Sequence, residues 1–175
     1  IYPFLPDTAF LGDPHMGKKF VNNVPKHRRG DRENMQYVDF VESLNNVQTV
    51  TNHIMIGDLF DTEIVSNTVL WQVIQSYRGA AAYNPNVTYY VVEGNHDAGQ
   101  SSSTISSFDL LALALRDVPN IIIVANGSVH VTSAMTIYGW NRNGYEVSGC
   151  TTTVAVGHWD VVDFGDNSNV VPSFP

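Results

Sequence analysis

Four short polar motifs hold most of the side chains in this sequence that could do chemistry. They are G-D-P-H at 12–15, G-D-L-F-D at 57–61, G-N-H-D at 94–97 and G-H-W-D at 157–160. Their Asp, His and Asn side chains supply oxygen and imidazole ligands suited to Mn, Fe or Zn. The chain has one cysteine and therefore no set of thiolates. The motifs indicate a site for hard or borderline divalent cations.

Each motif follows a short apolar run that predicts a β-strand, at residues 8–12, 54–57, 87–92 and 154–157. In open α/β sheets, ligands bind beyond the carboxyl ends of the strands. We therefore expect the four loops to meet at one site although they are far apart in sequence. The glycine before each polar residue allows a sharp exit from the strand.

Between these runs, apolar residues recur with helical spacing over residues 37–44, 65–77 and 107–116. Alternating strands and helices predict a layered α/β fold. After residue 120 the pattern changes to closely spaced strand candidates: IIIV, SVHVT and MTIYGW. Asn126-Gly127 predicts a tight hairpin turn between the first two of these. No linker or repeat divides the chain, so residues 1–175 are interpreted as one domain.

The charge is uneven along the chain. The net charge of −8 argues against a protein that coats nucleic acid through general basicity. Six of the nine basic residues nevertheless follow the first motif directly: Lys18, Lys19, Lys26, Arg28, Arg29 and Arg32. This segment is either a solvated loop or a surface that binds phosphates near the predicted site. No apolar run approaches the roughly 20 residues of a membrane span.

Taken in order, D-P-H, G-D-x-x-D, G-N-H-D and G-H resemble the motifs of the calcineurin-like metallophosphoesterases across nearly the whole chain. Within that superfamily, GHWDVVDFG and MTIYGW are most similar to the SbcD-type DNA repair nuclease subunits, especially the recombination nuclease subunit of T-even phages. The resemblance implies a layered metallophosphoesterase β-sandwich flanked by helices. It implies a metal-dependent nuclease that acts on DNA beside an SMC-like ATPase subunit. It leaves a homodimer open. The single cysteine, Cys150, indicates a reducing, cytoplasmic setting, in the host cytoplasm if the protein is phage-encoded.

The resemblance also implies roles for single residues. Asp13 and His15 would bind the first of two divalent metal ions, Asp58 would bridge both, and Asn95 and His158 would bind the second. The metal is expected to be Mn²⁺, with Mg²⁺, Fe²⁺ and Zn²⁺ as alternatives.

Two further residues would act on the substrate without binding metal. By resemblance, His96 would protonate the leaving oxygen, and Asp61 would hold its ring. The expected DNA-binding residues are Lys18, Lys19, Arg28, Arg29 and Arg32.

One expected motif is missing. The family completes its site with a G-H-x-H loop, and no such loop occurs here. We therefore expect the chain to lack its last metal-binding loop, with each metal one ligand short. The alternative makes Asp160, in G-H-W-D, a substituted last ligand.

Two other functions compete with a nuclease. The first is a phosphomonoesterase or small-molecule phosphodiesterase of the same superfamily. Monoester phosphatases carry arginines at the positions held here by Glu93 and Thr62, which disfavours a monoester. The second is a non-catalytic scaffold that binds DNA ends, suggested by the missing loop. The presence of His96 and Asp61 disfavours a decayed site.

Overall fold

The structure is a computed structural model, and it describes residues 7–99, 103–140 and 154–158. Its helices are α1 (Asp31–Asn45), α2 (Asn67–Tyr83) and α3 (Ser107–Leu115), with a short 3₁₀ helix at Lys26–Arg28. Its strands are β1 (Thr8–Leu11), β2 (Asn52–Ile56), β3 (Thr88–Val92), β4 (Ile121–Val124), β5 (Val129–Val131), β6 (Met135–Tyr138) and β7 (Val154–Gly157).

The first sheet is parallel throughout, in the order β1-β2-β3-β4. Successive side chains of a strand point to opposite faces, so both faces of a buried parallel strand must be apolar. In β3, Tyr89 and Val91 pack into the cluster formed with the helices, while Tyr90 and Val92 pack into a second cluster. The sheet is thus covered on both sides.

The second sheet covers the face that the helices leave free. Its order is β5-β6-β7, with β5 and β6 antiparallel and β6 and β7 parallel. Met135 and Ile137 of β6 join Ile54 of β2 and Val92 of β3 in one buried cluster. This confirms the predicted layered α/β sandwich with flanking helices.

The helices lie on the other face, where Phe40, Leu44, Val73 and Tyr77 are buried in the larger cluster. Local signals set where α2 and α3 begin. The Ser66 hydroxyl accepts a hydrogen bond from Val69 N at the start of α2, and Ser106 and Asp109 form a capping box at the start of α3.

The predicted strands and helices are confirmed, but the predicted Asn126-Gly127 hairpin is wrong. β4 pairs with β3 in the first sheet, whereas β5 pairs with β6 in the second, so the turn carries the chain between sheets. The turn is held by distant partners: Asn126 N donates to the Glu93 carboxylate (2.6 Å) and Gly127 N to Trp140 O (2.7 Å). Tertiary contacts therefore override the local hairpin signal. Within the described residues, no helix is long and apolar enough to span a membrane.

Candidate metal centre

The first three motif loops leave the parallel sheet side by side. Asp13, His15 and Asp58 all have positive φ, at 42°, 44° and 50°, so the chain turns sharply as it leaves β1 and β2. His15 N donates to Asp58 O (3.0 Å), and Met16 N donates to Leu59 O (2.7 Å). Main-chain hydrogen bonds thus fix the first loop to the second. They help to hold the backbone in the strained conformation that a positive φ brings.

A buried carboxylate ties the third loop to the second. Asp97 has no exposed surface, and it accepts hydrogen bonds from the main-chain N–H groups of Leu59 (3.0 Å), Phe60 (2.7 Å) and Gly94 (2.9 Å). Burial raises the pKa of Asp97 to about 6, against the opposing effect of these hydrogen bonds. No role was predicted for Asp97, although it is the last residue of G-N-H-D and follows His96 directly.

Gly94 is needed where the second and third loops meet. A Cβ at this position would overlap the main-chain nitrogen and the carboxylate of Asp58. Only a residue without a side chain allows this close approach.

Asp58 lies at the centre of the resulting group of side chains and is 5% exposed. Its Oδ2 lies 3.8 Å from Nε2 of His15 and 3.8 Å from Nε2 of His96. Its Oδ1 lies 3.4 Å from Nε2 of His158, whose Nδ1 lies 3.6 Å from the Asp13 carboxylate. These separations exceed hydrogen-bond lengths, and they suit ligands grouped around cations.

The ring of His158 is held so that Nε2 faces the site. Its Nδ1 lies 3.0 Å from the carbonyl oxygen of Ile56, which can only accept, so Nδ1 carries a hydrogen. Its Nε2 lies 2.7 Å from the Asn95 side-chain oxygen and 3.4 Å from Oδ1 of Asp58, so these three atoms are close enough to bind one cation. Within the described part of the chain, His15 Nδ1 is buried without a hydrogen-bond partner, and it lies 3.6 Å from Oδ1 of Asp61.

The donor atoms form two groups that share Asp58. One contains His15, Asp58 and His96, and the other contains Asp13, Asp58 and His158, with the donor atoms of each group within 4.8 Å of one another. All are carboxylate oxygens or imidazole nitrogens, the set that divalent Mn, Fe and Zn accept. The residues present therefore fit two divalent cations on either side of one bridging carboxylate.

The comparisons with known proteins agree with this geometry. Residues 7–170 match the calcineurin-like phosphoesterase family. The chain belongs to this family. Members of this family use divalent metals to hydrolyse phosphoesters. A comparison with curated proteins found no match.

Among solved structures, this phosphoesterase is similar to the nuclease MPE of Pseudomonas putida, at 14% identity and a TM-score of 0.41. The match covers 75% of this chain and 52% of the nuclease chain, so this phosphoesterase spans about half the length of that protein.

The resemblance pairs Asp13 with His15 on the first metal and Asn95 with His158 on the second, and this partition stays a prediction. By donor-atom distance, Asp13 lies with His158, which faces Oδ1 of Asp58, and His15 lies with His96, both facing Oδ2. Asp160 lies outside the described residues.

The contact predicted between Asp61 and His96 is made differently. Nδ1 of His96 donates to the main-chain carbonyl oxygen of Asp61 at 2.7 Å. The Asp61 carboxylate faces elsewhere, with Oδ1 3.6 Å from His15 Nδ1 and 3.6 Å from Lys18 Nζ.

The structure brings only part of the basic segment to the metal centre. Lys18 reaches it through Asp61. Arg28 instead pairs with Asp31 at 3.3 Å, and Arg32, in the first turn of α1, lies over the ring of Phe20. The segment is therefore not the single loop that the sequence predicted. Within the described residues, the other three members form no ion pair with a carboxylate of the site: Lys19, Lys26 and Arg29.

Proposed function

We propose that this phosphoesterase is a two-metal phosphodiesterase that cleaves DNA, as the nuclease subunit of a complex with an SMC-like ATPase. The observation that carries the catalytic part is the position of Asp58 between two groups of donor atoms. Asp13, His15, Asn95 and His158 would hold the metals with Asp58. When bound, such metals lower the pKa of a water and offset the negative charge that develops at phosphorus.

His96 supplies the proton that the leaving oxygen needs. The Asp61 carbonyl fixes a hydrogen on Nδ1, so the second proton of the imidazolium sits on Nε2, which faces the Asp58 carboxylate. The side chain of His96 is 44% exposed, so a phosphodiester at the metal centre can reach it. Cleavage of the bond from phosphorus to the leaving oxygen would draw the Nε2 proton onto that oxygen.

The surroundings favour a diester over a monoester. A monoester carries two negative charges, and the positions where monoester phosphatases hold arginines are Thr62 and Glu93. Thr62 donates its hydroxyl hydrogen to Ile64 O (2.9 Å), and Glu93 is buried and accepts from Asn126 N. Burial raises the pKa of Glu93 to about 7, with Asp97 as a further contribution. Among the lysines and arginines of the described residues, Lys18 forms an ion pair with a carboxylate of the site, that of Asp61.

The choice of DNA and of the SMC-like ATPase rests on the resemblance to SbcD-type subunits and on the basic segment. Within the described residues the Arg29 side chain makes no hydrogen bond or ion pair, whereas its main-chain nitrogen donates to Lys26 O (3.4 Å). Its guanidinium is therefore available for a backbone phosphate.

An assay with Mn²⁺ against linear duplex DNA, bis(p-nitrophenyl) phosphate and p-nitrophenyl phosphate tests the proposal. We expect hydrolysis of both diesters and a far lower kcat/KM for the monoester. A monoester preferred over both diesters would favour the competing phosphatase function. Binding of DNA without hydrolysis of any substrate would favour the scaffold.

A further inference from the structure

A cavity of about 360 Å³ lies behind the first metal loop, between that loop and α1. Its wall includes Leu11, Pro14 and Phe40. Pro14 stands between Asp13 and His15 in sequence, so the cavity and the metal centre share the same stretch of backbone. The volume of this cavity lies near the lower end of the range of about 300–1,000 Å³ that is typical of small-ligand sites.

The cavity contains an aromatic ring paired with a cation. The Arg32 guanidinium lies 5.9 Å from the centroid of the Phe20 ring. Phe20 is fixed in turn, because its main-chain nitrogen donates to the Glu33 carboxylate at 3.1 Å. A flat ring beside a guanidinium plane binds the π-face of a base by stacking, whatever the base.

Besides Arg32, two polar residues that line the cavity offer hydrogen-bond acceptors, Gln36 and Asp39. Gln36 uses its amide nitrogen to hold the first metal loop, donating to Pro14 O (2.8 Å) and His15 O (3.0 Å). Its side-chain oxygen and the Asp39 carboxylate accept no hydrogen bond within the described residues, and both residues line the cavity. Acceptors of this kind pair with the exocyclic amino groups of bases.

We propose that this cavity binds one base of the nucleic acid substrate, on a Phe20–Arg32 platform, while the adjoining phosphate occupies the metal centre. The inference rests on the proposed function, since it assumes a nucleic acid at the metal centre. Charge favours this occupant: Arg32 at the cavity and Lys18 at the metal centre offer cations along the path that the backbone would follow.

Titration of the ¹⁵N-labelled protein with deoxycytidine in the presence of EDTA tests the site without metal or catalysis. Deoxycytidine supplies a stacking face and an amino donor but no phosphate. We expect saturable shifts in the amide signals of Phe20, Arg32 and Gln36. Phe20→Ala should weaken binding roughly tenfold through lost stacking. Arg32→Gln, a change at an exposed position, should weaken it in the same direction. Trp71→Ala, on the exposed surface of α2, is the matched control and should bind as the unaltered protein does.

Three results would overturn the inference: no saturable shifts, shifts undiminished by both variants, or equally tight binding of cyclohexanol, which has no π-face. The proposed function is decided separately by the diesterase assay. Hydrolysis of bis(p-nitrophenyl) phosphate without deoxycytidine binding would remove the base site and leave the diesterase. Deoxycytidine binding without hydrolysis would leave the base site and remove the proposed diesterase activity.

Kinetics supply a second readout. In Phe20→Ala, KM for an oligonucleotide should rise more than kcat falls, because the base binds away from the reacting atoms. An abasic oligonucleotide should show a high KM with the unaltered enzyme, and Phe20→Ala should change that KM little. Equal sensitivity of abasic and normal substrates to Phe20→Ala would contradict a base contact.

Discussion

The main-chain carbonyl oxygen of Asp61 lies 2.7 Å from Nδ1 of His96 and fixes the orientation of that ring. A side-chain substitution at Asp61 leaves this carbonyl in place. The carboxylate of Asp61 serves other neighbours, His15 and Lys18.

Asp61→Asn should therefore lower kcat on a small diester far less than His96→Ser does. Loss of the proton donor should cost about 10²–10⁴ in kcat while metal content stays near that of the unaltered protein. Steady-state kinetics beside elemental analysis measure both quantities. Equal losses in the two variants would show that the Asp61 carboxylate orients the ring. Loss of metal from His96→Ser would make His96 a ligand, which its place beside His15 and Asp58 also permits.

Gly94→Ala should disrupt the metal centre, because the added Cβ would displace the main chain and carboxylate of Asp58. We expect a loss of about 1–3 kcal/mol in the free energy of unfolding, together with weaker metal binding. Gly79→Ala is the matched control: Gly79 lies in α2 with nothing within 4 Å of an added Cβ. It should gain about 0.5–1 kcal/mol from helix propensity. Urea unfolding of both variants checks the contrast, and equal stability of the two would contradict the close packing at Gly94.

Charge reversal at Arg28 and Arg29 should weaken cleavage of long DNA more than that of a small diester. Both side chains lie in the basic segment. Each lost phosphate contact should lower the magnitude of the slope of log binding constant against log salt concentration by about one. Arg116→Glu is the control, since it lies just beyond the C-terminus of α3, at the edge of the sheet opposite the metal loops. Binding measured over a range of salt concentrations separates the variants. A similar loss from Arg116→Glu would point to net charge rather than a local contact.

His53 should make the protein less stable in acid. Burial lowers its pKa to about 4, whereas the unfolded chain protonates it near 6.5. Below pH 6.5 the unfolded state therefore binds more protons, and the stability contributed by neutral His53 falls until pH 4. His53→Leu should flatten this part of the profile by about 2–3 kcal/mol. Urea unfolding from pH 8 to pH 4 with EDTA present compares the two proteins, and parallel profiles would contradict the assignment.

The sequence predicted the elements and the convergence of the motifs because both follow from local pattern. The spacing of apolar residues predicted the strands and helices. Parallel strands bring the loops that follow them to the same edge of the sheet. What it could not predict depends on contacts between distant residues. Asn126-Gly127 reads locally as a hairpin, but Glu93 and Trp140 hold it as a link between sheets. The role of the Asp61 main chain could not be predicted either, because a main-chain contact leaves no residue signature.

The start of α1 and the side-chain directions at the site could not be predicted from the sequence either. Arg32 lies in α1, which begins at Asp31, although its charge suggested a loop. The Asp13 carboxylate lies 3.6 Å from Nδ1 of His158, a proximity that the spacing of the motifs does not encode.

Asp58 is proposed to bridge two metal ions, and a crystal of the protein grown with Mn²⁺ can show whether it does. The anomalous difference map should show two peaks roughly 3.5–4 Å apart with the Asp58 carboxylate between them. One should lie beside His15 and the other beside Asp13, Asn95 and His158, and Asp58→Asn should remove at least one of them. A single peak, or two peaks that Asp58 does not touch, would exclude a bridging Asp58.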